Sequence, residues 1–354
     1  MPGYRVGIIA CGSIARSQAR GWMNTPRAEL VAIADTNPHA RQEFGEQFGV
    51  PESKQFADYR QMLDDEKLDI VSICSWHGQH AAMTIAAAAR GPQAILCEKP
   101  MAVSLGEANE MITAARRNKV KLAIGHMRRF YSGWEAARQL VADGAIGEPR
   151  RVWSTVLEGL LNWGTHTIDG MRFVLGDPES EWVMGAVERT SDRYERATRI
   201  EDACLALVGF KGGCQALIEN DLTDHGSINF QIVGTEGVLD VDENHVKYMN
   251  ASTGGWRRLE NEQNDPFIGQ ARGMVEWVEG KVEQYRGEAS QARQTLEIML
   301  ASYESVRLRE VVRMPMRTMV NPLDLMVESG DLPVKYPGKH DIRSFLVRGE
   351  AMTW

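Results

Sequence analysis

The sequence predicts an α/β fold: a doubly wound parallel-sheet domain followed by an α+β domain with a large, mostly antiparallel sheet. In residues 1–127, short and continuously apolar strands alternate with helical stretches, which is typical of a parallel sheet covered on both faces. After about residue 128 the pattern changes to strands joined by glycine-containing turns, which indicates antiparallel pairing. The length of 354 residues is enough for two domains of about 150 residues each.

The first domain, residues 1–127, is expected to contain five strands and four helices. The predicted strands are Tyr4–Ile9, Leu30–Ala34, Asp69–Ser75, Ala94–Cys97 and Leu122–Gly125. The predicted helices are Gly12–Met23, Pro38–Phe48, Gln79–Ala89 and Leu105–Arg117. This strict alternation gives consecutive βαβ units.

The second domain is expected to span residues 128–314, with a C-terminal arm at 315–354. The predicted strands are Arg151–Leu157, Ala203–Phe210, Gln215–Asn220, Ile228–Val233 and Gly237–Val241. The predicted helices are Gly133–Asp143, Thr165–Val174, Gln270–Glu283 and Ala289–Arg309. The arm holds Pro322, Pro333 and Pro337 in a polar run, which predicts irregular structure.

Composition and charge exclude several classes of protein. Forty Lys and Arg against 48 Asp and Glu give a net charge of −8 without a basic block, which argues against a nucleic-acid partner. The five cysteines form no C-x-x-C pair, which favours a reducing, cytoplasmic location. No signal peptide is expected, because the apolar run Val6-Gly7-Ile8-Ile9 follows Met1 within a few residues. The longest Ala-rich stretch, Ala81–Ala89, is too short to span a membrane, so no membrane association is expected.

A glycine-type turn between the first strand and the first helix predicts a dinucleotide site. It has the G-x-G-x-x-[GA] form with Ala10 in the first position, which is tolerable only if φ of Ala10 is negative. Gly12 supplies a bare backbone, and Ala15 permits close packing of helix on strand. The residues expected to contact the cofactor here are Ala10, Cys11, Gly12, Ser13 and Ile14.

Asp35, at the end of the second strand, points to NAD. A carboxylate there accepts hydrogen bonds from the adenosine ribose hydroxyls and repels a 2′-phosphate, so NAD is preferred to NADP. The alternative is that Asp35 only caps the turn before Asn37 and Pro38.

The ends of the third and fourth strands carry polar residues at the same sheet edge. Ser75, Trp76 and His80 follow the third strand, and Glu98-Lys99-Pro100 follows the fourth. The residues expected to contact the cofactor here are Ser75, Trp76, His80, Glu98 and Lys99. Because ligands bind at the carboxyl ends of strands in such sheets, Lys99 is placed for chemistry, although a solvated surface lysine is the alternative.

Together these motifs, with Gly164-Thr165-His166-x-x-Asp169, resemble the Gfo/Idh/MocA oxidoreductase family over residues 4–314. The resemblance implies a Rossmann domain, a mixed-sheet substrate domain, NAD(P), and a sugar, inositol or related polyol as substrate. It maps the family's catalytic lysine and histidine onto Lys99 and His166. It also suggests a homodimer or homotetramer assembled through the second sheet.

The sequence departs from the family pattern near His166. Asn162 stands where the family usually has an aspartate, and Asn neither accepts nor releases a proton. The stretch between Val152 and Asn162 also looks shorter than the family's substrate loop. Both departures weaken any transfer of one particular substrate.

Ordinary pKa values suggest how the proton is handled. An unshifted His titrates at about 6.5 and an unshifted Lys at about 10.4, so His166 is expected as principal base. Lys99 is expected to polarise the substrate oxygen and relay the proton. Lys99 serves as base only if its pKa falls by about 3 units.

Other residues near the motifs are candidates for substrate binding, each with a structural alternative. They are Asn162, Trp163, Asp169, Trp76 and Arg128. The spacings His77-x-x-His80 and His166-x-x-Asp169 offer no third ligand, so no metal is expected.

The leading hypothesis is an NAD-dependent dehydrogenase acting on a secondary hydroxyl of a sugar, cyclitol or sugar derivative. A second hypothesis is an NAD-retaining epimerase, lyase or glycoside-cleaving enzyme that works through a transient keto-sugar. A third is a non-catalytic sugar or NAD sensor. Accumulation of NADH distinguishes the first from the second, and binding without turnover marks the third.

Overall fold

The computed structural model of the chain describes residues 3–243, 245–260 and 264–343. Its first sheet contains six strands: β1 (Tyr4–Ile9), β2 (Ala28–Ala34), β3 (Gln55–Phe56), β4 (Ile70–Ile73), β5 (Ala94–Cys97) and β6 (Lys121–Ile124). They pair in parallel in the order β3-β2-β1-β4-β5-β6. The connecting helices are α1 (Ser13–Met23), α2 (Pro38–Phe48), α3 (Tyr59–Asp65), α4 (His80–Ala88) and α5 (Leu105–Arg117). The predicted doubly wound sheet is confirmed.

Local sequence signals explain where these helices begin. The Asn37 side chain accepts hydrogen bonds from the first N–H groups of α2, and Pro38 occupies its first position. The Ser104 side chain caps α5 in the same way. The sequence did not reveal β3 and α3, because two residues of edge strand and two turns of helix are too short to show a periodicity.

The second sheet is larger and mostly antiparallel, as predicted. Its nine strands are β7 (Pro149–Val156), β8 (Ser180–Glu188), β11 (Ala203–Phe210), β12 (Gln215–Asn220), β13 (Phe230–Gly234), β14 (Gly237–Val241), β15 (Val246–Asn250), β16 (Arg257–Leu259) and β17 (Val312–Arg313). The order is β16-β15-β14-β13-β7-β12-β11-β8-β17, and β7 with β12 is its parallel pair. Helices α6 (Ser132–Ala142), α7 (Thr165–Val174) and α9 (Ala289–Leu308) also belong to this half of the chain.

Helix α8 (Pro266–Val278) follows the second sheet in sequence but packs against α1 of the first. Gly21 permits this close approach: a Cβ at that position would lie 2.6 Å from the carbonyl oxygen of Phe267. The predicted extension of this helix to Glu283 is wrong, since it ends at Val278. The domain boundaries themselves stay a prediction.

The last part of the chain is not the irregular arm that its prolines suggested. It contains helix α10 (Pro322–Ser329) and strand β18 (Tyr336–Asp341). Strand β18 pairs in parallel with β9 (Ser191–Glu195), which forms a hairpin with β10 (Thr198–Arg199). This third sheet joins residues about 145 positions apart. Residues 344–354 of the predicted arm lie outside the described residues.

The apolar residues form two large buried clusters, and most of β1, β4 and β5 lies between helices. All five cysteines are buried and free of disulfides. No helix among the described residues has the length and apolar character that crossing a bilayer requires.

Candidate active site

A cavity of about 910 Å³ opens at the edge of the first sheet where β1, β2, β4 and β5 end. This is the point at which the strand order reverses, between β1 and β4, where such sheets bind ligands. The other wall comes from later parts of the chain: Asn162, Trp163, His166, Arg196, Phe267 and Arg343. The volume is in the range of small-molecule and cofactor sites.

The turn after β1 lines the cavity with all five residues predicted for it, Ala10, Cys11, Gly12, Ser13 and Ile14. Ala10 has φ +72°, so the expectation of a negative φ is wrong. The turn needs a left-handed residue at this point, and the alanine adopts that conformation at a cost in free energy. Helix α1 has no side-chain cap, and nothing lies within 4 Å of a Cβ built on Gly12. The open space and unpaired N–H groups are what a phosphate requires.

Asp35 lies beside this turn and also lines the cavity. Its carboxylate accepts hydrogen bonds from the backbone N–H of Cys11 at 2.7 Å and of Asn37 at 2.8 Å. A carboxylate has about four lone-pair sites, so two remain for ribose hydroxyls. Asp35 therefore takes the turn role, and its position in the cavity is compatible with the cofactor role that the sequence offered as the other alternative.

The residues after β4 divide between two places. Ser75 and Trp76 line the cavity, as expected. His80 does not: it is fully buried, with its ring nitrogens 2.8 Å from the carbonyl oxygen of Pro100 and 3.0 Å from that of Ser75. His80 starts α4, so its side chain points into the protein and connects two loops instead of facing the cofactor.

Glu98 and Lys99 follow β5 and both line the cavity. The Glu98 carboxylate accepts from the Gln18 side chain at 2.7 Å and from the Lys99 N–H at 3.2 Å, and burial raises its pKa. The Lys99 ammonium donates toward Asn162, to its carbonyl oxygen at 3.3 Å and to its side-chain oxygen at 3.5 Å. Burial, and then the positive charge of Arg196, lower the pKa of Lys99 to about 8.

His166, in the first turn of α7, also lines the cavity and is 8% exposed. Burial, followed by the charges of Lys99 and Arg128, lowers the pKa of His166 well below 6.5. The imidazole is therefore neutral at physiological pH. Lys99 remains the more basic of the two groups, but the pKa of Lys99, and not that of His166, now lies close to physiological pH.

Asn162 and Trp163 belong to a short π-helical turn, Leu160–Gly164, ahead of α7. Glu201 fixes the start of this turn by accepting the Leu160 N–H at 2.6 Å. The Asn162 side-chain NH₂ donates to the carbonyl oxygen of Glu158 at 3.3 Å, which turns its oxygen toward Lys99. Asn162 thus presents two acceptors to the ammonium at the position where the family pattern has an acid.

Arg128 lies over the ring of Trp163, 5.9 Å from the ring centroid, and forms an ion pair with Glu243. Both Arg128 and Trp163 line the cavity, as the sequence analysis expected. Burial lowers the pKa of Arg128 to about 10, so its guanidinium stays charged at neutral pH.

Asp169 does not line the cavity, although it shares α7 with His166. It is 1% exposed, and its two oxygens accept hydrogen bonds from Arg129 at 2.7 and 2.8 Å. Because every residue of α7 is buried, the side chain of Asp169, three positions after His166, packs against other parts of the protein. The prediction of Asp169 as a substrate-binding residue is not supported by this placement.

Among the charged residues that line the cavity, Arg196 and Arg343 were missed from the sequence, whereas His77 appeared there in the His77-x-x-His80 spacing. His77 is hydrogen-bonded to the buried carboxylate of Glu195. Arg196 lies in the β9–β10 turn, and Arg343 follows β18. The position of His77 next to Trp76 was a signal that it could line the cavity. No local sequence pattern marks the two arginines. Among the described residues there is no group of three or more His, Cys, Asp or Glu that could hold a metal ion.

The fold and this cavity define an oxidoreductase with a dinucleotide-binding parallel sheet. Residues 4–126 match the family model described as "Oxidoreductase family, NAD-binding Rossmann fold", and residues 157–240 match the model for the C-terminal domain of the same family. The chain belongs to the Gfo/Idh/MocA oxidoreductase family, as the motifs indicated. It is an NAD-dependent oxidoreductase.

Curated relatives are similar over most of the chain. The trans-1,2-dihydrobenzene-1,2-diol dehydrogenase of Mus musculus is 26% identical over 257 residues, which cover 68% of this chain and 74% of that protein. The 1,5-anhydro-D-fructose reductase of Ensifer adhaerens is 28% identical over 283 residues, covering 74% and 83%.

Solved structures share the fold. A levoglucosan dehydrogenase in complex with NADH and levoglucosan has a TM-score of 0.78 at 20% identity, covering 89% of this chain and all of that one. The aldose–aldose oxidoreductase of Caulobacter crescentus, complexed with glycerol, has a TM-score of 0.77 at 21% identity, covering 88% and 100%.

Proposed function

We propose that the protein oxidises a secondary hydroxyl of a sugar, cyclitol or sugar derivative, with NAD as the hydride acceptor. The observation that carries this proposal is the placement of Lys99 and His166 in one cavity with the Gly12 turn and Asp35. The relatives include a reductase of 1,5-anhydro-D-fructose and a dehydrogenase of levoglucosan, both named for carbohydrate substrates.

The residues around α1 fit the cofactor. The uncapped N-terminus of α1 and the open space at Gly12 would hold the pyrophosphate, and the Asp35 carboxylate would accept the ribose hydroxyls. When bound, NAD supplies the carbon that accepts a hydride.

We assign the role of base to Lys99 instead of His166, which corrects the expectation from unshifted pKa values. With a pKa of about 8, a useful fraction of Lys99 is the neutral amine at physiological pH. In the oxidation, Nζ of Lys99 would accept the proton of the substrate hydroxyl, and NAD held by the Gly12 turn and Asp35 would supply the acceptor for the carbinol hydride. A C=O bond forms from the former C–O bond.

His166 would orient the substrate by hydrogen bonding as a neutral imidazole. A group with a pKa well below 6.5 holds a proton poorly, so it is a weak base at neutral pH. Asn162, with its two oxygens near the ammonium, would direct the amine of Lys99 toward the cavity. Trp163, Trp76 and Arg128 would form the substrate walls.

The experiment is a spectrophotometric screen of sugars, cyclitols and sugar acids with NAD. NADH that accumulates in proportion to substrate consumed supports a net dehydrogenase. Conversion without NADH accumulation, with NAD retained on the purified protein, would instead identify the epimerase, lyase or glycoside-cleaving alternative. Saturable binding of a sugar, with no conversion of any compound in the panel, would contradict both enzyme hypotheses and support the sensor hypothesis.

We propose that the outward face of the second sheet forms a homodimer or homotetramer interface. Trp153, Met184, Val233 and Met249 are exposed there, each between 38% and 49%, on four strands of that sheet. Contiguous exposed apolar residues commonly mark an interface. Trp153→Arg should lower the mass measured by light scattering toward the monomer.

We also propose a cytoplasmic location. The five free cysteines are buried, and burial raises their pKa, for example to about 11 for Cys214. Unpaired thiols used as small apolar residues are typical of a reducing compartment. Fractionation of the producing cells would test the location.

A further inference from the structure

The turn between β9 and β10 carries an arginine in a backbone conformation that favours glycine or asparagine. Arg196 has φ +47° and Ala197 has φ +61°. Both positions of this two-residue hairpin turn are left-handed, which costs free energy for residues with a Cβ. Strain of this kind concentrates at functional sites. The Arg196 side chain lines the active-site cavity.

One carboxylate fixes Arg196 and Arg343 side by side. Asp341, at the end of β18 and 8% exposed, accepts hydrogen bonds from the N–H of Arg196 at 3.0 Å, of Ala197 at 2.7 Å and of Arg343 at 2.9 Å. The parallel pairing of β18 with β9 brings Asp341 to this turn. Two arginines 147 positions apart are thereby held at the same rim of the cavity.

Each of the two guanidinium groups forms an ion pair with a glutamate that lies outside the cavity. Arg196 contacts Glu195, and Arg343 contacts Glu158. Neither glutamate lines the cavity, whereas both arginines do. A guanidinium has five N–H donors in a planar fork, so an arginine can bind a ligand while it stays paired with a carboxylate.

Arg196 lies at the reacting end of the cavity, and Asp341 connects Arg343 to it. The positive charge of Arg196 is the largest electrostatic influence that lowers the pKa of Lys99, which requires the two to be close. Lys99, Arg128, Arg196 and Arg343 all line the cavity, while the carboxylate that lines it beside Lys99 is Glu98. This end of the cavity is therefore suited to an anion.

We propose that Arg196 and Arg343 form a subsite for an anionic group of the substrate, a carboxylate or a phosphate. The substrate is then a sugar acid or sugar phosphate whose secondary hydroxyl reaches Lys99 while its anionic group binds the arginine pair. This inference rests on the proposed dehydrogenase function and narrows its substrate class.

The test compares neutral and anionic sugars on the NAD-loaded protein. D-Glucose, D-gluconate, D-glucuronate and a hexose phosphate are assayed for NADH formation and, separately, for binding by calorimetry. The wild-type protein is compared with Arg196→Gln and Arg343→Gln. Arg199→Gln is the matched control, because Arg199 lies on the same hairpin but pairs with Asp324 away from the cavity.

We expect an anionic sugar to bind and turn over at least about tenfold better than glucose in the wild type. Each cavity variant should lose about 10- to 100-fold more kcat/KM for that anion than for glucose, since a charged hydrogen bond contributes this much. The effect of the Arg196 charge on the pKa of Lys99 changes turnover of both substrates equally. The control should match the wild type. A preference for acids over the phosphate, or the reverse, identifies the anionic group.

Equal binding of glucose and every anion, or equal losses for both in the variants, would overturn the subsite. A loss of NAD affinity in Arg196→Gln would also overturn it, because it would place the arginines on the cofactor. If no sugar gives NADH but an anion binds the wild type and not the variants, the subsite stands and the proposed dehydrogenase function fails.

Discussion

The two ends of the active-site cavity are built in different ways. The cofactor end uses the turn after β1, Asp35 after β2 and the residues after β4 and β5, all within residues 9–99. The reacting end adds a π-helical turn, a hairpin tip and the C-terminal segment, which lie between residues 162 and 343. The positions of the residues at the cofactor end are determined by the strand order and by the backbone geometry of the turns. The reacting end depends on side chains that long-range pairing brings together, so the two ends should respond differently to substitution.

The largest effect is expected at Lys99. Lys99→Ala should lower kcat by at least about 100-fold, because it removes the base, while NAD affinity stays near the wild-type value. Steady-state kinetics and NADH fluorescence titration measure the two quantities. Lys247→Ala, an exposed lysine of the second sheet, is the control. Undiminished turnover in Lys99→Ala would disprove its role as base.

The pH profile should separate the two candidate bases. Oxidation requires neutral Lys99, so kcat/KM should rise about tenfold per pH unit below about pH 8 and level off above it. The reverse reduction requires the ammonium and should decline above that pH. Arg196→Gln removes a charge that lowers the pKa of Lys99, so its profile should shift to higher pH.

His166→Asn should lower the rate but keep the same inflection, because the neutral imidazole does not titrate in this range. Loss of the inflection near pH 8 in His166→Asn, with its retention in a Lys99 variant, would restore His166 as the base.

A smaller effect is expected at the cofactor end. Asp35→Asn should weaken NAD binding by about tenfold, as the loss of one charged hydrogen bond predicts, and should improve binding of NADP. Its kcat at saturating NAD should stay close to the wild type. The exposed Asp240→Asn serves as control. An unchanged NAD affinity would limit Asp35 to holding the Cys11 turn.

The smallest effect is expected at Ala10. Ala10→Gly removes the strain that a φ of +72° imposes on a residue with a Cβ. The substitution should stabilise the protein by up to about 1 kcal/mol, which corresponds to a rise in Tm of about 1–2 °C. NAD affinity should be kept. A lower Tm would show that the conformational entropy of glycine outweighs the strain of alanine.

Local patterns in the sequence are enough to predict the strands and turns at the end of the cavity where β1 and β2 stop. Caps, turns and apolar runs are local, so they place β1, α1, β2 and β5 and the residues that follow each strand. The family motifs added Lys99 and His166, and both line the cavity. His80 and Asp169 do not line the cavity, because their side chains form hydrogen bonds with Pro100 and Arg129. These partners come close only when the chain packs.

The chemistry of the reacting end depends on contacts that form only when distant parts of the chain pack together. Burial and the charge of Arg196 lower the pKa of Lys99, and burial lowers the pKa of His166. Neither environment can be predicted from the residues next to Lys99 or His166 in the sequence. Strand β18 pairs with β9 across about 145 residues, and a single sequence carries no periodicity that marks such a contact. The arginine pair therefore exists only once the chain has folded.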